Sequence, residues 1–91
     1  MKEEKFAKIG ARIKKLRVEK RWTQTVLASK VRVDQGYIAA LEKGVYEPAN
    51  PMLVALSDVF KVPMTDINPD LVIDLSYLRE IEGKQKEFFK E

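Results

Sequence analysis

The chain contains neither cysteine nor histidine. That removes thiol nucleophiles, disulfides, the usual zinc ligands and the side chain best suited to moving protons near neutral pH. Asp and Glu can do acid/base work, but no carboxylate cluster suggests it, so neither an enzyme nor a bound metal or cofactor is expected. What remains is the chemistry of cations and amides. Residues 1–21 hold nine Lys/Arg against three Glu, a balance of +6, and residues 22–65 hold four of each sign. Residues 66–91 hold four basic against seven acidic residues, a balance of −3, so the net charge of +3 conceals a polarity along the chain. One end of the protein is suited to face phosphates and the other is not.

Such groups act only where a scaffold holds them, and the stretch that organises the scaffold runs from Trp22 to Gly44. It reads as two short helices with a tight corner between them. Thr23 occupies an N-cap position, where its hydroxyl can accept a bond from an orphaned backbone N–H, and Trp22 with Leu27 forms a candidate hydrophobic staple. The second helix repeats the arrangement, with Asp34 as cap and Val33 paired with Ile38, and Gly44 supplies a left-handed stop. Leu27, Ala28, Val31, Ile38 and Leu41 are apolar at spacings that turn one face of each helix inward. A short helix, a turn of three or four residues and a second helix make a helix-turn-helix.

The remaining segments supply the walls of a small core. At 91 residues with 45% apolar content, one folded domain is expected. Met1 to Lys5 reads as a charged, mobile lead-in. A first helix over about Phe6 to Lys20 carries Phe6, Ile9, Ile13 and Leu16 as its buried stripe, with Lys8, Arg12, Lys15 and Arg21 off it. Asn50 and Pro51 look like the N-cap and first position of a later helix that buries Leu53, Leu56 and Phe60 and ends at Lys61-Val62-Pro63. No apolar run reaches the ~20 residues needed to span a bilayer, and the charged N-terminus lacks a secretory signal, so a cytoplasmic protein is expected.

From about Ile9 to Ile67 the chain resembles the Xre/Cro/C1-type helix-turn-helix domain of phage repressors and related bacterial regulators. The residues that carry the resemblance are Arg17, Thr23-Gln24, Leu27-Ala28, Tyr37-Ile38, Leu41-Glu42 and Gly44, followed by Pro48 and the Leu53/Leu56 helix. It implies an all-α fold: a compact five-helix, lambda-repressor-like DNA-binding domain over residues 1–68, with residues 69–91 as a short C-terminal extension. Thr65 to Ile67 would begin the last short helix, stopped at Asn68-Pro69.

The resemblance also assigns roles. Arg17 and Glu42 would form a largely buried ion pair joining the first helix to the end of the recognition helix, a structural role. Gln24, in the first turn of its helix, would contact a phosphate and brace the recognition helix; the plainer alternative is a polar residue exposed at a helix start. Gln35, Gly36, Tyr37, Ala39 and Ala40 would approach base edges. Gln pairs with adenine and a methyl group touches the thymine methyl, which suits an A·T-rich major groove. Tyr37 either donates to the DNA or packs its ring beside the helix. Lys43 and Tyr46 fall in the loop that in the family follows the phosphates. The basic residues of the first helix, Arg12 among them, are either a solvated face or a contact with the DNA backbone.

Two departures from the family pattern stand out. The corner that usually carries a left-handed Gly is Arg32 here, costing on the order of 1 kcal/mol if the geometry is kept. Its guanidinium could grip a phosphate in return, or the turn has another shape. In addition, Gly36, Ala39 and Ala40 replace long polar side chains on the reading face, so discrimination would lean on Gln35, Arg32 and DNA deformability.

Beyond Asp70 the family pattern ends. Leu71, Leu75 and Leu78 lie at near-heptad spacing, which reads as a helix from Asp70 to Gly83 and a dimer interface; a strand, or an intramolecular helix, are the alternatives. The function expected is a sequence-specific transcriptional regulator, most simply a repressor, that binds a near-palindromic operator in double-stranded DNA as a homodimer. The alternative is a protein-interaction module such as an antitoxin or antirepressor, engaging another protein through its C-terminal segment. A membrane-surface helix fits poorly, because the apolar stripe of residues 6–16 is needed for the core.

Overall fold

Five helices make up most of residues 2–71, the part of the chain that the computed structural model describes. In order they are α1 (Lys2–Glu19), α2 (Gln24–Val31), α3 (Gln35–Lys43), α4 (Asn50–Phe60) and α5 (Met64–Ile67). No strand occurs among the described residues. Residues 72–83 of the expected helix, and with them Leu75 and Leu78 of the expected dimer interface, lie outside them. Leu71 is the last described residue and packs, half-buried, against the core.

Helices α2 and α3 are eight and nine residues long, shorter than the ~12–15 residues at which an isolated helix becomes even marginal in water. Tertiary burial has to hold them. Ile9 and Ile13 of α1, Leu27 of α2, Ile38 and Leu41 of α3, Leu53, Leu56 and Phe60 of α4, and Ile67 of α5 are sealed from solvent. At about 1.5–3 kcal/mol for each large side chain, this shared core outweighs anything the short helices contribute alone. Trp22 stacks on Phe60 with ring centroids 5.8 Å apart and lies under the Lys30 ammonium, 4.7 Å from the ring centre. The start of α2 is thereby fastened to the end of α4.

The helix ends follow one pattern. After α1, α2, α3 and α4, Arg21, Arg32, Gly44 and Lys61 all adopt a left-handed backbone. The next N–H reaches back to the last turn: Trp22 to Arg17, Val33 to Ala28, Val45 to Ala40 and Val62 to Ser57, at 3.0–3.1 Å. These bonds satisfy carbonyls that a helix end leaves orphaned. An L residue in that conformation costs roughly 1–2 kcal/mol. Arg and Lys offset part of it, because a cation at a helix C-terminus complements the dipole. Only the third site needs glycine, and the reason is contact as well as torsion: a Cβ on Gly44 would sit 2.8 Å from the Ala7 Cα.

Local expectations fail at three places. α1 begins at Lys2, ahead of the expected Phe6, because Lys2 to Lys5 holds no helix breaker and puts Glu4 near the favourable end of the dipole. Asp34 takes the extended N-cap backbone, but its side chain makes no capping bond, unlike Thr23, whose hydroxyl accepts from Val26 N–H at 3.1 Å. Ala49, and not Asn50, is the N-cap of α4, which moves Pro51 one residue into the first turn.

Sequence reasoning attached nothing to Gly10, yet it governs how α1 meets α3. A Cβ there would lie 2.3 Å from the Leu41 carbonyl oxygen and 2.6 Å from that of Glu42, so the two backbones touch with no room for a side chain. Gly36, by contrast, has open space where its Cβ would be. The two glycines therefore predict opposite outcomes in urea unfolding followed by the fluorescence of the single Trp. Gly36→Ala should stabilise by about 0.4–1 kcal/mol. Gly10→Ala should destabilise by roughly 3 kcal/mol, the upper end for overpacking, because backbone has to move.

Candidate nucleic-acid interface

Arg17 sits on the face of α1 that Gly10 presses against α3, seven residues further along and so nearly above it after two helical turns. Its Nε donates to Glu42 Oε2 at 2.7 Å and its Nη2 to Oε1 at 3.0 Å, the two-pronged geometry that a guanidinium and a carboxylate share. Its Nη1 donates to the Trp22 carbonyl at 2.8 Å. One side chain thus ties α1 to the end of α3 and to the residue before the cap of α2. The side chains of Arg17 and Glu42 are 12% and 3% exposed. Hydrogen bonding to Glu42 raises the Arg17 pKa above its ordinary value, against the opposing effect of burial.

From this pair a chain of amides leads outward. Gln24 Nε2 donates to Glu42 Oε1 at 3.1 Å, and Gln35 Nε2 donates to Gln24 Oε1 at 2.7 Å. The first residue of α2 and the first of α3 are therefore joined to each other and to the buried carboxylate. Gln35 is exposed and Gln24 half-buried. Gln24 thus touches the first residue of the recognition helix, the contact that its expected bracing role requires.

The surface of α3 divides by helical geometry. At about 100° per residue, Gln35, Gly36, Ala39 and Ala40 span one side, opposite buried Ile38 and Leu41. Gly36 is fully open, while Ala39 and Ala40 are half-buried, so the side that faces outward is shallow. Tyr37 lies at its edge and stacks on Tyr46 of the following loop, with centroids 6.1 Å apart and planes at 19°. Tyr46 keeps 52% of its surface exposed, beside exposed Val45.

Arg32 retains the left-handed corner, with φ 60° and ψ 48°, and its side chain is exposed between α2 and α3. Lys43 is exposed in the last turn of α3. Arg12 stands apart from these residues. Two positions past Gly10, it points to the far side of α1, lining a groove with Lys15, Leu16, Thr65 and Asp66. The loop after α3 is held to α1 by Lys5 and Glu47, 3.3 Å apart on the surface. A pair so exposed contributes at most about 1 kcal/mol.

The buried pair generates a test. Arg17→Ala leaves the Glu42 carboxylate buried and unpaired, a loss of about 3–5 kcal/mol. The double variant Arg17→Met/Glu42→Leu should recover most of it, since apolar groups of similar volume need no partner. Thermal melts of both proteins check this, and a single variant that melts like the wild type would mean the pair is not buried in solution.

Residues 13–67 match the helix-turn-helix family model. Among solved structures, the restriction-modification controller protein C.AhdI from Aeromonas hydrophila is 22% identical over 68% of this chain and 94% of its own, with a TM-score of 0.65. The clp gene regulator ClgR from Corynebacterium glutamicum is similar in two structures. One is 28% identical over 67% of this chain and 79% of its own, TM-score 0.62. The other is 22% identical over 90% and 83%, TM-score 0.65. A comparison with curated protein sequences finds no match. Among the described residues no helix is long and apolar enough to cross a membrane. With the matched span running from the middle of α1 through α5, and the Arg17, Gln24, Gln35 and Glu42 network inside it, the chain belongs to the Xre/Cro/C1-type helix-turn-helix family of DNA-binding transcriptional regulators.

Proposed function

We propose that this regulator is sequence-specific, that it binds a near-palindromic operator as a homodimer, and that it acts as a repressor. The observation that carries the reading is the bonded pair Gln24–Gln35 at the starts of α2 and α3, held from below by Glu42. A long polar side chain exposed at the first turn of a recognition helix is expensive to order, and here its order is supplied before any ligand arrives. ClgR, 28% identical, is a gene regulator by name, which supports a role in gene control.

In this reading the start of α3 enters the major groove. Gln35 takes an adenine edge, and the Ala39 and Ala40 methyls, with Gly36 between, lie against thymine methyl groups. Gln24, Arg32, Lys43 and Tyr46 hold phosphates, with Tyr37 steadying Tyr46 from α3. Arg12, directed toward α5, is left out of this set. Two copies would place their recognition helices about 34 Å apart, in successive grooves on one side of the duplex. With so few base contacts, part of the selectivity has to come from how readily the operator deforms.

The dependence of affinity on salt measures the phosphate contacts. If Arg32 and Lys43 of both subunits each neutralise a phosphate, log Kd against log salt has a slope magnitude of about 4. Arg32→Ala should reduce that magnitude by about 2, and Arg12→Ala should leave it unchanged. Fluorescence anisotropy on labelled duplex reads all three proteins; absence of duplex affinity at low salt overturns the proposal.

A further inference from the structure

We propose that Lys5 serves DNA binding without touching DNA, by neutralising Glu47 in the loop that leads from α3 to α4. The inference rests on the reading that this loop faces phosphates. From Gly44 to Ala49 the loop carries a single charged side chain, Glu47, next to Tyr46. A bare carboxylate there opposes any phosphate that Tyr46 or Lys43 would hold. Neighbouring Cα atoms are only about 3.8 Å apart, whereas charges are felt over about 10 Å at 0.1 M salt, so the repulsion reaches both contacts.

The fold sets a cation against that carboxylate. The first turns of α1 run over the end of α3, so close that a Cβ on Gly44 would lie 2.8 Å from both the backbone N and the Cα of Ala7. Two residues before Ala7, the Lys5 ammonium stands 3.3 Å from Glu47 Oε1. Tyr46 is stacked on Tyr37 and Pro48 is buried, so the loop is held on either side of Glu47. With side chains 39% and 40% exposed, the pair adds little to stability. Its larger effect falls on a polyanion, which meets a neutral pair where it would have met an anion. Lys5 lies ahead of residues 13–67, the span that matches the family model, so the helix-turn-helix is assisted here from outside that span. Because phosphates carry no sequence information, Lys5 and Glu47 act on the affinity common to all duplexes.

A double-mutant cycle tests this, read by fluorescence anisotropy on a duplex selected from a random pool and on an unrelated duplex of equal length. Lys5→Gln should weaken binding to both by about two- to fivefold for each subunit that binds, the range of an exposed ion pair. Glu47→Gln should bind both at least as tightly as the wild type. In that background Lys5→Gln should change neither the affinity nor its salt slope. If Lys5→Gln costs the same in both backgrounds and lowers the slope magnitude by about 2, Lys5 itself holds a phosphate in each subunit and the proposal falls. It falls equally if Lys5→Gln leaves the wild-type affinity unchanged, or if Glu47→Gln alters binding to one duplex alone. Thermal melts of the four proteins should nearly coincide; a variant that unfolds makes the pair structural and overturns the assignment. A wild type with no affinity for either duplex is the distinct failure of the DNA-binding reading, and takes this proposal with it.

Discussion

The Arg17–Glu42 ion pair is the interaction on which the arrangement of this domain depends. It joins three segments that the core brings near one another without orienting: the second half of α1, the approach to α2 and the last turn of α3. Hydrophobic burial is non-directional and tolerates sliding and rotation. A forked guanidinium against a carboxylate tolerates neither. Buried ion pairs are often no better for stability than apolar replacements. The pair here carries a second function that an apolar replacement would lack, since Glu42 also accepts from Gln24 and thereby reaches the start of α3.

Close backbone contact makes that geometry possible. Gly10 lets α1 lie directly on the Leu41 and Glu42 carbonyls, and Gly44 lets the end of α3 turn beneath Ala7. With α1 lifted by the width of a methyl group, Arg17 would no longer meet Glu42 at hydrogen-bond distance, and the polar network would fail before the apolar core did. The left-handed helix ends at Arg21, Arg32 and Lys61 show the opposite economy. Where no neighbouring backbone crowds the Cβ, a cation is tolerated in the strained conformation, and each adds positive charge at a helix end.

The outward face is shaped by what it lacks. Half-buried Ala39 and Ala40 and open Gly36 leave α3 nearly bare, so a single amide provides the directional hydrogen bonding there. An unsupported glutamine would sample many rotamers. Fixing Gln35 from inside the protein compensates for having few partners beside it, and joins the candidate interface to the same carboxylate that holds the fold.

Much of this was legible in the residues themselves. The apolar spacing of Ile9, Ile13, Leu27, Ile38, Leu41, Leu53 and Leu56, the Thr23 cap and the Gly44 stop are local signals, and local chemistry decides helix type and face. The residues of the candidate interface are named by resemblance alone, from their order along the chain. Tertiary structure alone decided the contacts between elements. That Gly10 is a contact point, that Tyr37 packs on Tyr46, that Arg12 turns toward α5 and that Glu42 directs the Gln24 and Gln35 amides follow from how two helices are rotated against each other. A chain's periodicity determines which side of a helix is apolar; the rotation and separation of one helix on another are set only when all the side chains are packed together.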